Sequence, residues 1–277
     1  MPELPEVQTV IEGIKPKILN KRIIEYKKYT SKLRYPISQT IGKKIARKIV
    51  KAIYRRAKYI IIDLENNLSI VIHLGMSGRI VISGTGDSKS SQHTHFIIKF
   101  SNNIKLIYID PRRFGLIKVL PSDSLFKSKI FNHLGVEPLD QEFNGRYLKK
   151  ICENKKSSIK STIMNQNYVV GIGNIYASES LFLAKISPLK TSCLLSIREC
   201  NLIVQSVKKV LNKSIQQGGS SINDYAMVSG KLGNYQNKLE VYGREGLICR
   251  KRTCQSEILR IVIAQRSTFY CPVCQNK

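Results

Sequence analysis

The sequence is short of acids. Only 19 of its 277 residues are Asp or Glu, against 46 Lys and Arg, which leaves a formal net charge of +27. Charged residues make up 23% and apolar residues 42%, so the imbalance reflects missing carboxylates rather than surplus cations. A disordered polycation is excluded, because such a chain also lacks the apolar residues needed for a core. The length suffices for one to three domains with real cores. A field this positive favours a polyanionic partner, nucleic acid first and an anionic membrane surface second. An AT-rich genome would enrich Lys, Ile and Asn but would not deplete Glu, so it accounts less well for the balance.

Long apolar runs are also missing. No window approaches 18 consecutive apolar residues, which excludes a spanning helix. The N-terminus carries Glu3 and Glu6 and has no basic flank before an apolar run, so it does not read as a secretory signal. There is no internal repeat. Nor is there an even set of cysteines: of seven, Cys249, Cys254, Cys271 and Cys274 crowd the last 29 residues, while Cys152, Cys193 and Cys200 are scattered. That pattern fits reduced thiols plus a metal site better than a disulfide framework, and predicts a cytoplasmic protein.

Pro5 in a first turn, followed by Val7, Val10, Ile11 and Ile14, predicts an amphipathic helix ending near Lys15-Pro16. From about residue 22 to 119 the pattern changes to short β-rich runs at 58–64, 68–74, 95–100 and 104–109. Turn signals such as Glu65-Asn-Asn67 and Ser101-Asn-Asn103 separate them, which suggests a sandwich or a barrel. Ser83 to Ser91 is Gly/Ser-rich and reads as a flexible loop. After Pro121 the periodicity turns helical, clearest at 147–152, 175–183 and 196–215. The last helix has Leu202, Val207, Val210 and Leu211 on its apolar face, and Gly218-Gly219 stops it. Residues 218–240 are rich in Gly, Ser and Asn, which predicts a mobile loop. The fold class is therefore α+β: a β-rich domain, a helical domain and a small cysteine module.

Two places carry chemistry. The tail spacing Cys249-x4-Cys254-x16-Cys271-x2-Cys274 sets four thiolates around one ion if the intervening segment, with its strand-like Leu259 to Ile263, forms a hairpin. Four sulfur ligands leave no open coordination position, so a zinc ion there is structural rather than catalytic. The segment 243–277 holds seven Lys and Arg against two acids, which suits a phosphate or groove reader. At the other end, a small second residue normally permits removal of Met1. Pro2 would then present a secondary amine of pKa near 8. That amine is a usable nucleophile toward a sugar carbon, with Glu3 beside it to donate or accept a proton. Taken alone, Met1-Pro-Glu is a weak signal and reads first as an ordinary helix start.

The longer pattern is more specific. Met1-Pro-Glu-Leu-Pro-Glu-Val7 resembles the start of the formamidopyrimidine-DNA glycosylase family. The resemblance continues through Arg56-Ala-Lys-Tyr59, His73-Leu-Gly-Met-Ser-Gly78, Asp110-Pro-Arg-Arg-Phe-Gly115 and Gly171-Ile-Gly-Asn-Ile-Tyr-Ala-Ser-Glu-Ser180. Gln217-Gly-Gly219, Val241-Tyr-Gly-Arg244 and Gln265-Arg-Ser-Thr-Phe-Tyr-Cys271 extend it across essentially the whole chain. Two departures stand out: the first cysteine pair is Cys-x4-Cys where the family usually has Cys-x2-Cys, and Leu232 stands where relatives often carry Pro.

The resemblance implies an N-terminal β-sandwich with flanking helices (1–121), a linker (122–146), a helix-two-turns-helix DNA-binding domain with a lesion loop (147–240) and a zinc finger (241–277). It implies that Pro2 attacks C1′ of a damaged purine nucleotide with Glu3 as acid/base partner. A Schiff base and successive β- and δ-eliminations follow. Lys58, which alone would read as an edge-strand lysine, matches a position associated with β-elimination and phosphate contact. Arg266 matches a hairpin arginine that grips phosphate. His93, Arg112, Lys155, Lys160 and Asn174 match DNA contacts; by itself Asn174 would read as a helix N-cap. Met76, Arg112 and Phe114 match side chains that fill the gap left by an extruded base. Glu6 and Glu179 match positions near the active site.

The implied activity is that of a bifunctional glycosylase and abasic-site lyase acting as a monomer on oxidised purines in duplex DNA, with one structural zinc and no organic cofactor. The sister endonuclease VIII type, preferring oxidised pyrimidines, is disfavoured by Pro2 to Glu6 and the Arg112-Arg-Phe114 triplet. A catalytically silent DNA-binding relative is disfavoured by intact Pro2, Glu3 and Lys58. A generic zinc-ribbon RNA-binding protein leaves the N-terminal motif unexplained.

Overall fold

The structure, a computed structural model, describes residues 2–84, 92–220 and 233–275. Most of the Gly/Ser-rich stretch expected at 83–91, and residues 221–232 of the loop expected at 218–240, Leu232 included, lie outside the described residues. The chain divides into two compact units, Met1–Asn132 with Gln217–Gln236, and His133–Gln216 with Asn237–Lys277.

The first unit begins with α1 (Leu4–Ile18), whose Val7, Val10, Ile11, Ile14 and Ile18 are buried. The helix runs through Pro16 rather than ending before it. Ile18 is sealed in the core, and the Leu19 N–H donates to the Lys15 carbonyl at 3.0 Å, so packing and a final backbone bond hold the turn that proline weakens. Eight strands follow: β1 (Ile23–Lys28), β2 (Val50–Arg56), β3 (Tyr59–Leu64), β4 (Leu68–His73), β5 (Arg79–Ser83), β6 (Thr94–Phe100), β7 (Lys105–Ile109) and β8 (Leu116–Pro121). They form two antiparallel sheets, ordered β1-β6-β7-β5 and β2-β3-β4-β8.

Alternating residues from both sheets enter one core. Ile60, Ile62, Ile70 and Ile72 come from one sheet, and Phe96, Ile98, Leu106 and Tyr108 from the other. Strand spacing alone left sandwich and barrel open; two separate sheets over a shared core make it a sandwich. A short helix, α2 (Ile41–Ile45), packs on β1 and β8, and α1 packs on β2 and β3. Lys58 is not on a strand: Ala57 and Lys58 form the two-residue turn joining β2 to β3, with Ala57 at φ +54° and Arg56 paired to Tyr59.

The second unit contains α3 (Gly145–Cys152), α4 (Ile159–Ile163), α5 (Asn174–Ala184) and α6 (Ile197–Gln216). Asn144 caps α3 by accepting the Tyr147 N–H, and Ser158 caps α4 by accepting that of Ser161. α5 packs on α4 and α6, and α6 on α3. In α6 the buried stripe is Ile203, Val207, Val210 and Leu211; Leu202, expected on that face, is exposed and Ile203 takes its place. Gly218 and Gly219, at φ +75° and +77°, end the helix as their sequence predicts. A hairpin of β9 (Leu259–Ile263) and β10 (Arg266–Tyr270) follows beside the four clustered cysteines. Its turn residues Ala264 and Gln265 both have positive φ, a type I′ geometry reached without Asn or Gly. Among the described residues, no helix is long and apolar enough to cross a membrane.

Candidate functional site

At the start of α1, Pro2 and Glu3 are both buried. The carboxylate of Glu6, one turn later, accepts the Glu3 N–H through Oε2 and the Ser220 N–H through Oε1, each at 2.8 Å. Gly219 makes this approach possible: a Cβ there would lie 3.0 Å from Glu6 Oε1, and its φ of +77° favours glycine. Ser220 bridges to Asn234, and the Tyr235 N–H donates to the Gly219 carbonyl at 3.1 Å. One buried carboxylate thus fixes both the residue beside Pro2 and the two-glycine turn.

Lys58 is buried on its turn. His73, at the end of β4, accepts the Gly75 N–H on Nδ1 at 2.9 Å, so its neutral form carries the proton on Nε2. Its ring lies 4.8 Å from that of Tyr59. Burial, reinforced by the Lys58 and Arg34 cations, pulls the His73 pKa from 6.5 down to about 4.

Two neighbouring loops carry the expected gap-filling side chains. Met76 follows β4, and Arg112 and Phe114 follow β7. Met76 and Phe114 are 38% and 44% exposed. The Arg112 guanidinium sits 5.0 Å from the Phe114 ring centroid, a cation–π arrangement that stiffens both. The loops meet backbone to backbone: Gly75 has φ +67°, and a Cβ on it would lie 2.4 Å from the Phe114 carbonyl carbon. His93 is exposed on the turn entering β6.

In the second unit, Asn174 departs from expectation. Gly173 holds the N-cap position and Asn174 is the first helical residue. Its side chain instead donates to the Ser267 carbonyl at 2.8 Å and accepts from Lys160 Nζ at 2.5 Å. Lys160 is only 1% exposed, and its ammonium also donates to Thr268 Oγ1 at 2.6 Å. Lys160 therefore spends its donors on α5 and β10 rather than presenting them to solvent. It shares with exposed Arg266 a cavity of about 230 Å³, lined also by Met164, Asn165 and Ile263. Lys155 is half-buried, with its ammonium 5.2 Å from the Tyr168 ring centroid.

The four cysteine sulfurs lie within 4.8 Å of one another, with Cys249 to Cys274 at 3.9 Å and Cys254 to Cys271 at 3.7 Å. A tetrahedral ion bound at about 2.3 Å per sulfur needs sulfur–sulfur edges of about 3.8 Å, so the donor set fits a zinc ion. The longer knuckle still closes, because the Cys254 N–H donates back to the Lys251 carbonyl and the Cys249 N–H to that of Ser256, both at 2.9 Å. Glu179, on α5, accepts the N–H groups of Glu240, Val241 and Tyr242 at 2.9, 3.0 and 2.9 Å, fixing the segment that leads into this module. Burial raises its pKa, and the three donors act in the opposite direction.

The first unit therefore carries Pro2, Glu3, Lys58, Met76, His93, Arg112 and Phe114, of which Met76, His93, Arg112 and Phe114 lie on loops bonded to one another. The second gathers Lys155, Lys160, Asn174, Arg266 and the cysteines. Sequence reasoning assigned no role to His73, although its place at a strand end beside Gly75 was a usable signal.

Comparison with known proteins settles the relationship. A family model described as the formamidopyrimidine-DNA glycosylase N-terminal domain matches residues 1–117, and one described as the formamidopyrimidine-DNA glycosylase H2TH domain matches residues 134–226. The chain belongs to the formamidopyrimidine-DNA glycosylase family. Relatives named formamidopyrimidine-DNA glycosylase from Wolbachia sp. subsp. Brugia malayi and from Escherichia coli O6:H1 are each 42% identical over 276 residues, covering 100% of both chains. A Lactococcus lactis Fpg variant solved with Fapy-dG-containing DNA superposes with a TM-score of 0.91 at 32% identity, covering 100% of both chains. The Lactococcus lactis Fpg solved with abasic-site DNA gives 0.90 at 33%, covering 99% of this chain and 100% of that one. The α+β class, sandwich, helical domain and C-terminal hairpin of this glycosylase-family chain are those its motifs implied.

Because His73 titrates lower in the folded chain than in the unfolded one, the unfolded state takes up the proton first as pH falls. Stability attributable to neutral His73 should be intact above about 6.5 and be lost progressively toward about 4. An NMR titration of the His73 ring is expected to show a midpoint near 4; a midpoint near 6.5 would contradict the assignment.

Proposed function

We propose that the chain is a bifunctional DNA glycosylase and abasic-site lyase of base excision repair, removing oxidised purines such as 8-oxoguanine and formamidopyrimidines from duplex DNA. The observation that carries this reading is the pair Pro2-Glu3, buried and fixed through Glu6, in a chain that matches glycosylases over its full length. The relatives solved with Fapy-dG and abasic-site DNA support the substrate class.

In this reading Met1 is removed and the Pro2 amine attacks C1′ of the damaged nucleotide, displacing the base. Glu3 moves the protons: the Pro2 nitrogen gives one up, the ring oxygen O4′ takes one as the C1′–O4′ bond opens, and the resulting C1′ iminium drives β- and then δ-elimination. Lys58 and Arg266 bind the flanking phosphates and assist those eliminations. His93, Lys155 and Asn174 hold the backbone, and Lys160 supports Asn174. Met76, Arg112 and Phe114 occupy the gap left by the extruded nucleotide. The four parts 1–121, 122–146, 147–240 and 241–277 serve as catalytic sandwich, linker, DNA-binding domain and zinc finger. Cys249, Cys254, Cys271 and Cys274 hold one zinc ion, which supplies a structural staple for the hairpin carrying Arg266. The odd, clustered cysteine set supports a reducing cytoplasm, and the protein works there as a monomer.

Borohydride trapping tests the chemistry. Protein lacking Met1 should form a covalent adduct on a duplex containing 8-oxoguanine, and protein retaining Met1 should not. No adduct on any damaged duplex would sink the reading, and preferential trapping on an oxidised pyrimidine would move the chain to the sister specificity. The metal assignment predicts one zinc per chain by elemental analysis and a lower unfolding temperature after chelation. A stoichiometry near zero in fully folded protein would contradict it.

A further inference from the structure

All four expected DNA contacts of the sandwich outside its N-terminus and Lys58 turn (Met76, His93, Arg112 and Phe114) sit on loops that meet at one residue with no assigned role. Asp110 is 0% exposed, at the end of β7. Its Oδ1 accepts the Ser77 hydroxyl at 2.6 Å, and the same Ser77 Oγ accepts the Arg112 N–H at 3.1 Å. Its Oδ2 accepts the Gly115 N–H at 2.8 Å and the Tyr108 hydroxyl at 3.3 Å. Its main chain is equally occupied: the Asp110 N–H donates to the His93 carbonyl at 3.0 Å, and its carbonyl receives His95 Nε2 at 2.7 Å and the Arg113 N–H at 3.2 Å.

These bonds reach each loop next to the side chain it presents: Ser77 beside Met76, Gly115 beside Phe114, the amide of Arg112 and the carbonyl of His93. The packing leaves little freedom for any other arrangement. A Cβ on Gly115 would lie 1.6 Å from the Tyr108 hydroxyl, and one on Gly78 would lie 2.1 Å from the Leu74 carbonyl oxygen. Burial, and next the Asp110 carboxylate, push the Tyr108 pKa well above 10, so its hydroxyl stays a donor.

We propose that Asp110 is a positioning residue for nucleotide extrusion, holding Met76, Arg112, Phe114 and His93 as one preorganised group that enters the duplex together. It touches neither substrate nor reacting atoms. The proposal rests on the reading that the chain excises bases from duplex DNA. Its energetic logic is that side chains filling an unstacked gap must be held in place beforehand, otherwise ordering them subtracts from the stacking they restore. A single-stranded abasic substrate has no gap to fill, so cleavage of it does not need the group.

The test compares Asp110→Asn and Ser77→Ala with the unaltered chain, all lacking Met1. The amide of Asp110→Asn keeps the volume but loses one of the two acceptor oxygens, and Ser77→Ala removes the hydroxyl that joins Asp110 Oδ1 to the Arg112 N–H while leaving the Gly115, Tyr108 and His93 bonds of Asp110 in place. Excision of 8-oxoguanine from duplex DNA should fall by at least about 10-fold in kcat for both variants. Cleavage of a single-stranded abasic oligonucleotide should stay within about 3-fold. A 2-aminopurine base opposite the lesion should show a changed fluorescence on binding, because the gap is filled differently. Equal losses on both substrates, or no change in the ratio with an unchanged fluorescence signature, would overturn the proposal. If Asp110→Asn does not fold, Ser77→Ala carries the comparison alone. Failure of the unaltered chain to excise or trap on any damaged duplex would instead overturn the underlying function, so the two failures are distinguishable.

Discussion

A chain with 19 acids against 46 basic residues has few carboxylates to place, and several of them are sealed inside it. Glu6, Asp110 and Glu179 are 1%, 0% and 3% exposed. Burying a carboxylate costs several kcal/mol, and hydrogen bonds to a charged acceptor return about 1.5–3 kcal/mol each, so each group needs two or three donors to be tolerated. Glu6 and Glu179 find them on the main chain, at Glu3 and Ser220 and at residues 240–242, whereas Asp110 takes the Gly115 N–H and two hydroxyls, those of Ser77 and Tyr108. Irregular backbone that could not otherwise satisfy its N–H groups in a buried place is held still by these acceptors.

Those held segments are the ones the proposed chemistry uses. Glu6 anchors the residue next to the nucleophile, and Asp110 anchors the loops whose Met76, Arg112 and Phe114 project outward. Glu179 anchors the approach to the cysteine module. The cations do the opposite work, remaining mostly at the surface where a polyanion can reach them. Lys58 and Lys160 are buried exceptions. The Lys160 ammonium ties Asn174 on α5 to Thr268 on β10, acting as a cross-brace within the second unit.

Much of this was legible in the sequence for simple physical reasons. Short β-rich apolar runs in β3, β4, β6 and β7, and the 3.6-residue stripe of α6, reflect local preferences that residues carry with them. The thiol spacing fixed the cysteine set. What was not legible depended on contacts distant in sequence or on context that overrides local preference. The Ser77–Asp110 bond spans 33 positions, and nothing in either residue announces it. Lys58 looked like the start of a strand, but the Arg56–Tyr59 pairing placed it on the turn. Asn174 has the right side chain for an N-cap and forgoes that role because Lys160 and Ser267 offer partners from elsewhere in the unit. Pro16 would normally end α1, and the burial of Ile18 carries the helix past it.

Buried carboxylates, rather than regular secondary structure, hold the functional loops rigid. Native-state hydrogen exchange at the amides of Glu3, Gly115, Ser220 and Val241 tests it most directly. Exchange is expected to be at least about 100-fold slower than in an unfolded chain at all four, with protection lost at Gly115 alone of the four in Asp110→Asn. Exchange at unfolded-chain rates in the unaltered protein would contradict it.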